Sequence, residues 1–130
     1  MKTIVAIFIS CCIGSNILAQ SMAGITSQRD TSFTTRSAFL SAQKNYPDIT
    51  IVEEFHSAAV KEQKNITYTK TGNRKLVLDA FYPSVKKNKR VAVIIVHGGG
   101  WRSGDRSQHY PMAQRLASLG YVCFTPEYRF

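Results

Sequence analysis

Apolar and polar residues first form a regular pattern between residues 65 and 83. Asn65–Lys70 alternates β-branched or aromatic residues with polar ones, and Lys75–Pro83 is a second, mostly apolar run that predicts another strand. The turn residues Thr71-Gly72-Asn73 lie between the two runs. Alternation of this kind, interrupted by a short glycine-containing turn, is typical of paired strands. The pattern therefore predicts an antiparallel hairpin.

The pattern changes in the segment Val91–Val96, where every residue is apolar. A strand that is covered on both faces has this composition, as in parallel sheets. A second run of the same kind, Tyr121–Thr125, predicts another fully buried strand.

A helix is predicted between these two strands, over roughly Ser107–Leu119. Pro111 is tolerated only in a first helical turn, so the regular helix is expected to begin near His109 or Tyr110. Gly120 is a suitable residue just past its C-terminus. The apolar positions share one face, with the larger residues on one stripe and two alanines beside it: Met112, Leu116 and Leu119, with Ala113 and Ala117. Strand, helix and strand together predict a βαβ unit with a right-handed crossover.

The N-terminus has the features of a secretory signal peptide. A lysine at position 2 precedes an apolar run, Ile4–Gly14, and small residues follow it. The run is shorter than the roughly 20 residues that a membrane-spanning helix needs. We expect residues 1–19 to be the signal peptide, with cleavage after Ala19 or, as the alternative, after Ala23. Residues 20–64 are predicted to be a linker and N-terminal extension that contains a short helix over Ser37–Lys44.

Composition adds four limits. A length of 130 residues allows one domain at most, and residues 65–130 are assigned to it. The net charge is +9, but the one basic cluster, Lys86–Arg90, lacks the interleaved aromatic residues of a base-stacking surface, so it is interpreted as a solvated turn. Of the three cysteines only Cys123 lies outside the predicted signal peptide, and it is expected to be buried. The histidines are far apart in sequence and have no metal-ligand spacing.

The candidate chemistry lies in residues 97–105, His-Gly-Gly-Gly-Trp-Arg-Ser-Gly-Asp, directly after the first buried strand. Three consecutive glycines let a ligand approach the backbone N–H groups. In acyl transfer such groups stabilise the negative charge that develops on a carbonyl oxygen. A glycine-rich turn can also bind phosphate, but the spacing of neither phosphate-binding glycine motif is present.

The sequence His97-Gly98-Gly99-Gly100-Trp101 resembles the HGGG-type oxyanion loop of α/β-hydrolase esterases and lipases. The resemblance extends over residues 65–129. Residues 76–83 are similar to the second strand of secreted carboxylesterases and carbohydrate esterases, and residues 120–129 to the end of their fourth strand. The implied fold is α/β, namely the N-terminal portion of an α/β-hydrolase domain: an antiparallel hairpin followed by a βαβ unit of the central sheet. Kynurenine-formamidase-like hydrolases share a close variant of the loop, so the resemblance leaves ester and amide substrates open.

The resemblance also implies roles for individual residues. The backbone N–H groups of Gly98, Gly99 and Gly100 would include the oxyanion donors, with Gly99 and Gly100 preferred. His97 would support the loop by hydrogen bonds and would not be the catalytic base. Trp101 would pack beside the loop, and Asp105 would cap the following helix or hold the loop through an arginine. The two residues Tyr128-Arg129 resemble a structural lock at the end of the strand.

The nucleophile of the family is a serine in a Gly-x-Ser-x-Gly turn, followed by an acid and a histidine. No such turn occurs in the 130 residues. We therefore expect the nucleophile, acid and base to lie beyond Phe130, and the 130-residue chain alone to be inactive. The strand that carries the nucleophile would pair with Val91–Val96, so this edge is expected to be open and prone to aggregation.

The resulting prediction is a secreted or periplasmic serine hydrolase that acts on carboxylic esters through an acyl-serine intermediate. Its substrate would be a small-molecule or polysaccharide-linked ester. No cofactor, metal, nucleic acid or membrane span after signal cleavage is expected, and the oligomeric state is left open. The alternatives are a non-catalytic, truncated hydrolase-like protein and a secreted basic module that binds polyanions through Lys86–Arg90.

Overall fold

The computed structural model describes residues 30–129. The predicted signal peptide therefore lies outside the described residues. The elements in chain order are helix α1 (Thr35–Gln43), strands β1 (Val60–Thr71), β2 (Arg74–Pro83) and β3 (Ala92–Ile94), a 3₁₀ turn (Arg106–His109), helix α2 (Tyr110–Ser118) and strand β4 (Val122–Pro126).

The four strands form one mixed sheet in the order β1-β2-β4-β3. Strands β1 and β2 are an antiparallel hairpin, as the sequence predicts, although β1 begins at Val60 and not at Asn65. Strand β2 also pairs antiparallel with β4, whereas β3 and β4 are parallel. Because β3, α2 and β4 follow one another in the chain, the predicted βαβ unit is confirmed.

Helix α2 covers one face of this sheet and forms the core with it. Phe81, Ala113, Ala117 and Cys123 are fully buried there, and Val60, Val93, Ile95, Tyr110 and Leu116 pack around them. Complete burial of a phenylalanine such as Phe81 contributes about 1.5–3 kcal/mol. Cys123 is thus buried, as predicted.

Helix α2 begins where the proline rule places it, with Pro111 in its first turn. It ends at Ser118 and is followed by a Schellman arrangement around Gly120, in which the Tyr121 N–H donates to the Leu116 carbonyl and the Gly120 N–H to the Ala117 carbonyl. The predicted apolar face is confirmed in part: Leu116 packs on the core beside the buried Ala113 and Ala117, whereas Met112 is exposed and Leu119 is 74% exposed. The buried face is formed by Ala113, Gln114 and Ala117.

The prediction that Val91–Val96 is covered on both faces is also wrong. Only Ala92–Ile94 forms a strand, β3, and Ile94 is 68% exposed. Strand β3 is an edge of the sheet, as expected, and has a neighbour only in β4 within residues 30–129. Strand β4 is likewise not buried at every position, since only Cys123 and Thr125 are fully covered by α2 and the 3₁₀ turn.

Two further segments agree with the sequence patterns. Helix α1 lies close to the predicted range, and its N-terminus has a capping box in which Thr34 and Ser37 exchange side-chain hydrogen bonds. Most of the Lys86–Arg90 cluster is exposed outside any strand or helix. Among the described residues, no helix is long and apolar enough to cross a membrane.

Candidate active site

The glycine-rich loop follows β3 and ends at the 3₁₀ turn. Its backbone reverses sharply because Gly99, Gly100 and Trp101 all have positive φ angles, of 126°, 62° and 62°. The N–H groups of Arg102 and Ser103 then donate to the Gly99 carbonyl at 3.2 and 3.1 Å. The loop is therefore a tight turn that closes on the carbonyl of its second glycine.

Glycine is required at two positions of this turn for a steric reason. A Cβ added to Gly99 would overlap the backbone carbonyl of Ser103. A Cβ added to Gly104 would overlap the Gly98 carbonyl and the His97 ring. Both residues also have a positive φ angle, a conformation that residues other than glycine rarely adopt. The packing of the loop on itself thus accounts for glycines at both ends of the turn.

The second and third glycines line an open cleft of about 320 Å³. The cleft is bounded by Asp30, Ser32 and Phe33 on one side and by Gly99, Gly100, Arg102 and Ser103 on the other. Within residues 30–129 the N–H groups of Gly99 and Gly100 have no hydrogen-bond acceptor. Two backbone donors beside a cleft can receive a ligand oxygen that carries negative charge.

His97 lies beneath the loop and is 3% exposed. Its Nδ1 donates to the Gly98 carbonyl at 2.8 Å, and because a carbonyl only accepts, Nδ1 carries a hydrogen. The ring stacks on Tyr128 at 4.4 Å, and the Tyr128 hydroxyl donates to the His97 carbonyl at 3.0 Å. These contacts tie the start of the loop to the end of β4.

Trp101 and Asp105 occupy the other two support positions named from the sequence. Trp101 is 75% exposed. Its ring makes an edge-on contact with the Tyr128 ring, with 5.4 Å between the centroids. The Asp105 carboxylate caps the 3₁₀ turn by accepting from the Ser107 N–H at 2.9 Å. The Gln108 side chain accepts from the Asp105 N–H at 3.1 Å, which completes a capping box.

A buried carboxylate, which sequence reasoning missed, connects the sheet to the end of the loop. Asp79 on β2 is fully buried. It accepts hydrogen bonds from the Arg106 Nε at 2.7 Å, from the Asn65 N–H at 2.6 Å and from the Tyr110 hydroxyl. Arg106 is the first residue of the 3₁₀ turn and also donates to the Asn65 side chain at 2.7 Å. The network fixes the start of this turn against a bulge in β1.

The pKa values in this network follow from burial and hydrogen bonding. Burial alone would raise the pKa of Asp79, but the hydrogen bonds from Tyr110, Asn65 and Arg106 outweigh it and lower the pKa. Burial, with the hydrogen bond to Asp79, raises the pKa of Tyr110. Asp79 is therefore ionised at neutral pH, and Tyr110 is a hydrogen-bond donor.

Two more polar clusters were not predicted. The Gln114 amide, buried on α2, accepts from the Phe55 N–H at 2.6 Å and donates to Glu62 at 2.8 Å. Glu127, just after β4, pairs with Arg74 at 2.5 Å and so ties the end of that strand to the hairpin. The partners are 52 to 59 positions apart, so no local pattern in the sequence could identify them.

The structure also brings His109 near the loop. Burial lowers its pKa, and the proximity of His97 lowers it further. The imidazole of His109 is consequently neutral near pH 7. In the part of the chain that the structure describes, no three His, Cys, Asp or Glu residues form a group that could hold a metal ion.

Comparisons with known proteins find similarity to esterases. Residues 78–130 match the family model described as BD-FAE. The crystal structure of a C6-C4 SN3 inhibited esterase B from Lactobacillus rhamnosis has a TM-score of 0.50 and 25% identity, and the match covers 74% of this chain and 31% of that protein. Esterase 2 from Thermogutta terrifontis, phosphorylated by paraoxon, has 30% identity over 55% of this chain and 27% of its own, with a TM-score of 0.48. No curated protein matches the chain.

The fold defines the class of protein. The chain carries the N-terminal portion of an α/β-hydrolase domain, and the predicted fold class is confirmed. Residues 78–130 are similar to the BD-FAE family model, and the predicted resemblance to α/β-hydrolase esterases is confirmed. The chain spans about a third of the length of esterase B.

Proposed function

We propose that these residues are the oxyanion-hole portion of a serine hydrolase that cleaves carboxylic esters. The observation that carries the proposal is the pair of backbone donors at Gly99 and Gly100, which lack an acceptor within residues 30–129 and line a cleft. The esterase-like family match supports the same reaction class. Gly98 is the third candidate donor of the loop.

The reaction proceeds through an acyl-serine intermediate. A serine Oγ bonds to the ester carbonyl carbon while its proton passes to a histidine, and the carbonyl oxygen becomes an oxyanion. Collapse breaks the bond to the alcohol, which leaves with that proton, and water then hydrolyses the acyl-serine by the same steps. The serine, the histidine and its acid belong to the complete protein outside these 130 residues, which contain no Gly-x-Ser-x-Gly turn.

The residues of this chain act on the oxyanion. Each preorganised donor of this kind lowers the barrier by about 2.7–4 kcal/mol. The donors are effective only if the loop is rigid before the substrate binds. His97, Tyr128 and the closure on the Gly99 carbonyl supply that rigidity, and the Asp79 network holds the residue that follows the loop.

The proposal includes the location and the substrate class. Residues 1–19 direct the protein to the periplasm or the exterior, where a small-molecule or polysaccharide-linked ester is the substrate. The charged start and short apolar run of these residues support the location. The reaction needs no cofactor, because serine, histidine and backbone donors supply every proton and charge that it requires.

The proposal is tested with the complete protein and two substrate types. We expect hydrolysis of aryl acetates, and stoichiometric labelling by an organophosphate at one serine within a Gly-x-Ser-x-Gly turn, with loss of activity. An aryl formamide is the second substrate, and preference for it would assign an amidase instead. Residues 20–130 alone are the matched control and should show no turnover. If the complete protein hydrolyses no ester, or if activity survives without the labelled serine, the proposal is wrong.

A further inference from the structure

The segment Asp30–Thr34 lies against the glycine loop. The ring of Phe33 packs directly on Gly98, because a Cβ added there would lie 3.3 Å from the Phe33 Cε1 atom. Phe33 is 37% exposed, so its ring contacts the loop and also faces solvent. The absence of a side chain at Gly98 thus makes room for an aromatic ring from the N-terminal segment.

Hydrogen bonds hold this segment in place at both ends of Phe33. On one side, the Thr34 N–H donates to the Ser37 hydroxyl at 2.9 Å, and that hydroxyl donates to the Ser32 carbonyl at 3.0 Å. On the other side, the Gln108 amide donates to the Phe33 carbonyl at 3.5 Å. Because Gln108 also completes the capping box at Asp105, the segment and the end of the loop share one support. The position of the ring is therefore set by both α1 and the 3₁₀ turn.

The cleft between this segment and the loop has a defined chemical character. The Phe33 ring and the backbone of Gly99 and Gly100 line it together with the charged residues Asp30 and Arg102. The ring therefore forms an apolar boundary close to the backbone donors. Consider an ester whose carbonyl oxygen accepts from the N–H groups of Gly99 and Gly100. A substituent of that carbonyl must either fit between the Phe33 ring and the loop or point away from the ring.

We propose that Phe33 is a specificity-determining residue of the ester-binding site. Its ring limits the length of the substituent that lies on the Asp30–Thr34 side of the bound carbonyl, so that short substituents are preferred. This inference rests on the proposed ester hydrolysis. The substituent on that side is either the acyl chain or the alcohol, and the two are distinguished by experiment.

The test uses the complete protein, Phe33→Ala and Phe33→Leu, with two series of esters. One series varies the acyl chain, p-nitrophenyl acetate against p-nitrophenyl octanoate. The other varies the alcohol, methyl acetate against octyl acetate. The measured quantity is the ratio of kcat/KM for the long over the short ester, in which the fraction of folded enzyme cancels. Phe39→Ala, the same change on helix α1, is the matched control because Phe39 lines a separate groove against α2.

We expect Phe33→Ala to raise the ratio about tenfold or more in one series, since a single methylene in an apolar pocket is worth about 10–200-fold. Phe33→Leu should lie between Phe33→Ala and wild type, and Phe39→Ala should keep the wild-type ratios. If wild type hydrolyses both esters and the ratios are unchanged in both series, the assignment of Phe33 is wrong and the proposed function stands. If wild type hydrolyses no ester, the proposed function is wrong and the assignment of Phe33 falls with it.

Discussion

Replacing the buried Asp79 by alanine should be among the most damaging single changes in the described residues. The substitution removes the acceptor of three donors at once: the Arg106 guanidinium, the Tyr110 hydroxyl and the Asn65 N–H. Breaking a buried ion pair by removing one partner costs about 3–5 kcal/mol, because the other charge is left without compensation. The Arg106 side chain is 19% exposed, so water restores part of its solvation, and Asn65 is also accessible to water. We therefore expect a loss of about 3–4 kcal/mol in the free energy of unfolding.

The assay is urea unfolding of the complete protein at pH 7, as a double-mutant cycle of Asp79→Ala and Arg106→Ala. If the two residues act as a pair, the double variant loses less stability than the sum of the single variants, by about 0.5–3 kcal/mol. A loss below about 1 kcal/mol in Asp79→Ala, which is typical of exposed ion pairs, or strict additivity in the cycle, would refute the described network.

The same variant has a predicted pH dependence. The pKa of Asp79 is lower in the folded state than its ordinary value of about 3.9. Its contribution to stability is therefore fully present above that ordinary value and is lost as the pH falls through the folded pKa. The difference between wild type and Asp79→Ala should be constant from neutral pH to about pH 5 and shrink below about pH 4. Growth of that difference on acidification would contradict the sign of the shift.

Three further predictions concern the loop, the edge strand and the cysteine. Gly99→Ala should lower kcat for aryl acetates about 10²–10³-fold, because the new Cβ overlaps the Ser103 carbonyl and displaces the donors. Gly72→Ala, in a hairpin turn where the new Cβ meets no atom within 4 Å, should leave kcat unchanged; equal losses in both would show that backbone strain alone is responsible. Residues 20–130 produced alone should associate through the exposed β3 edge, and Ile94→Lys should shift them toward monomer in analytical ultracentrifugation. If Ile94→Lys leaves the association unchanged, the association occurs through another surface. Burial raises the pKa of Cys123, so iodoacetamide should label this cysteine only in denaturant, as measured by peptide mass spectrometry. Rapid labelling of the native protein would contradict the burial of Cys123.

Local patterns in the sequence predict the elements well. The hairpin, the start of α2 at its proline and the βαβ unit all follow from short-range rules that involve residues within one or two turns. The resemblance of residues 97–101 to an oxyanion loop predicts where the candidate site lies. Its catalytic role is still a prediction, since the structure describes the geometry and not the reaction.

The features that the sequence does not predict all depend on distant partners. Whether Ile94 is covered depends on which strand lies beside β3, and an all-apolar run is compatible with either arrangement. Gln114 replaces Met112 on the buried face because Phe55 and Glu62, more than 50 positions away, satisfy its amide. Asp79 lies among apolar residues of β2, where nothing local distinguishes a buried ion pair from a solvent-facing carboxylate.

The contact of Tyr128 with His97 has a consequence for the synthesis of the protein. The start of the glycine loop depends on a side chain that is translated 31 residues later. At about 5–20 residues per second, the ribosome adds those residues in roughly 2–6 s. During that interval the nascent loop lacks the Tyr128 ring, which stacks on His97, and the Tyr128 hydroxyl, which donates to the His97 carbonyl. The hairpin can already form. The order of translation therefore makes the β1-β2 hairpin available before the side chain that supports the glycine loop.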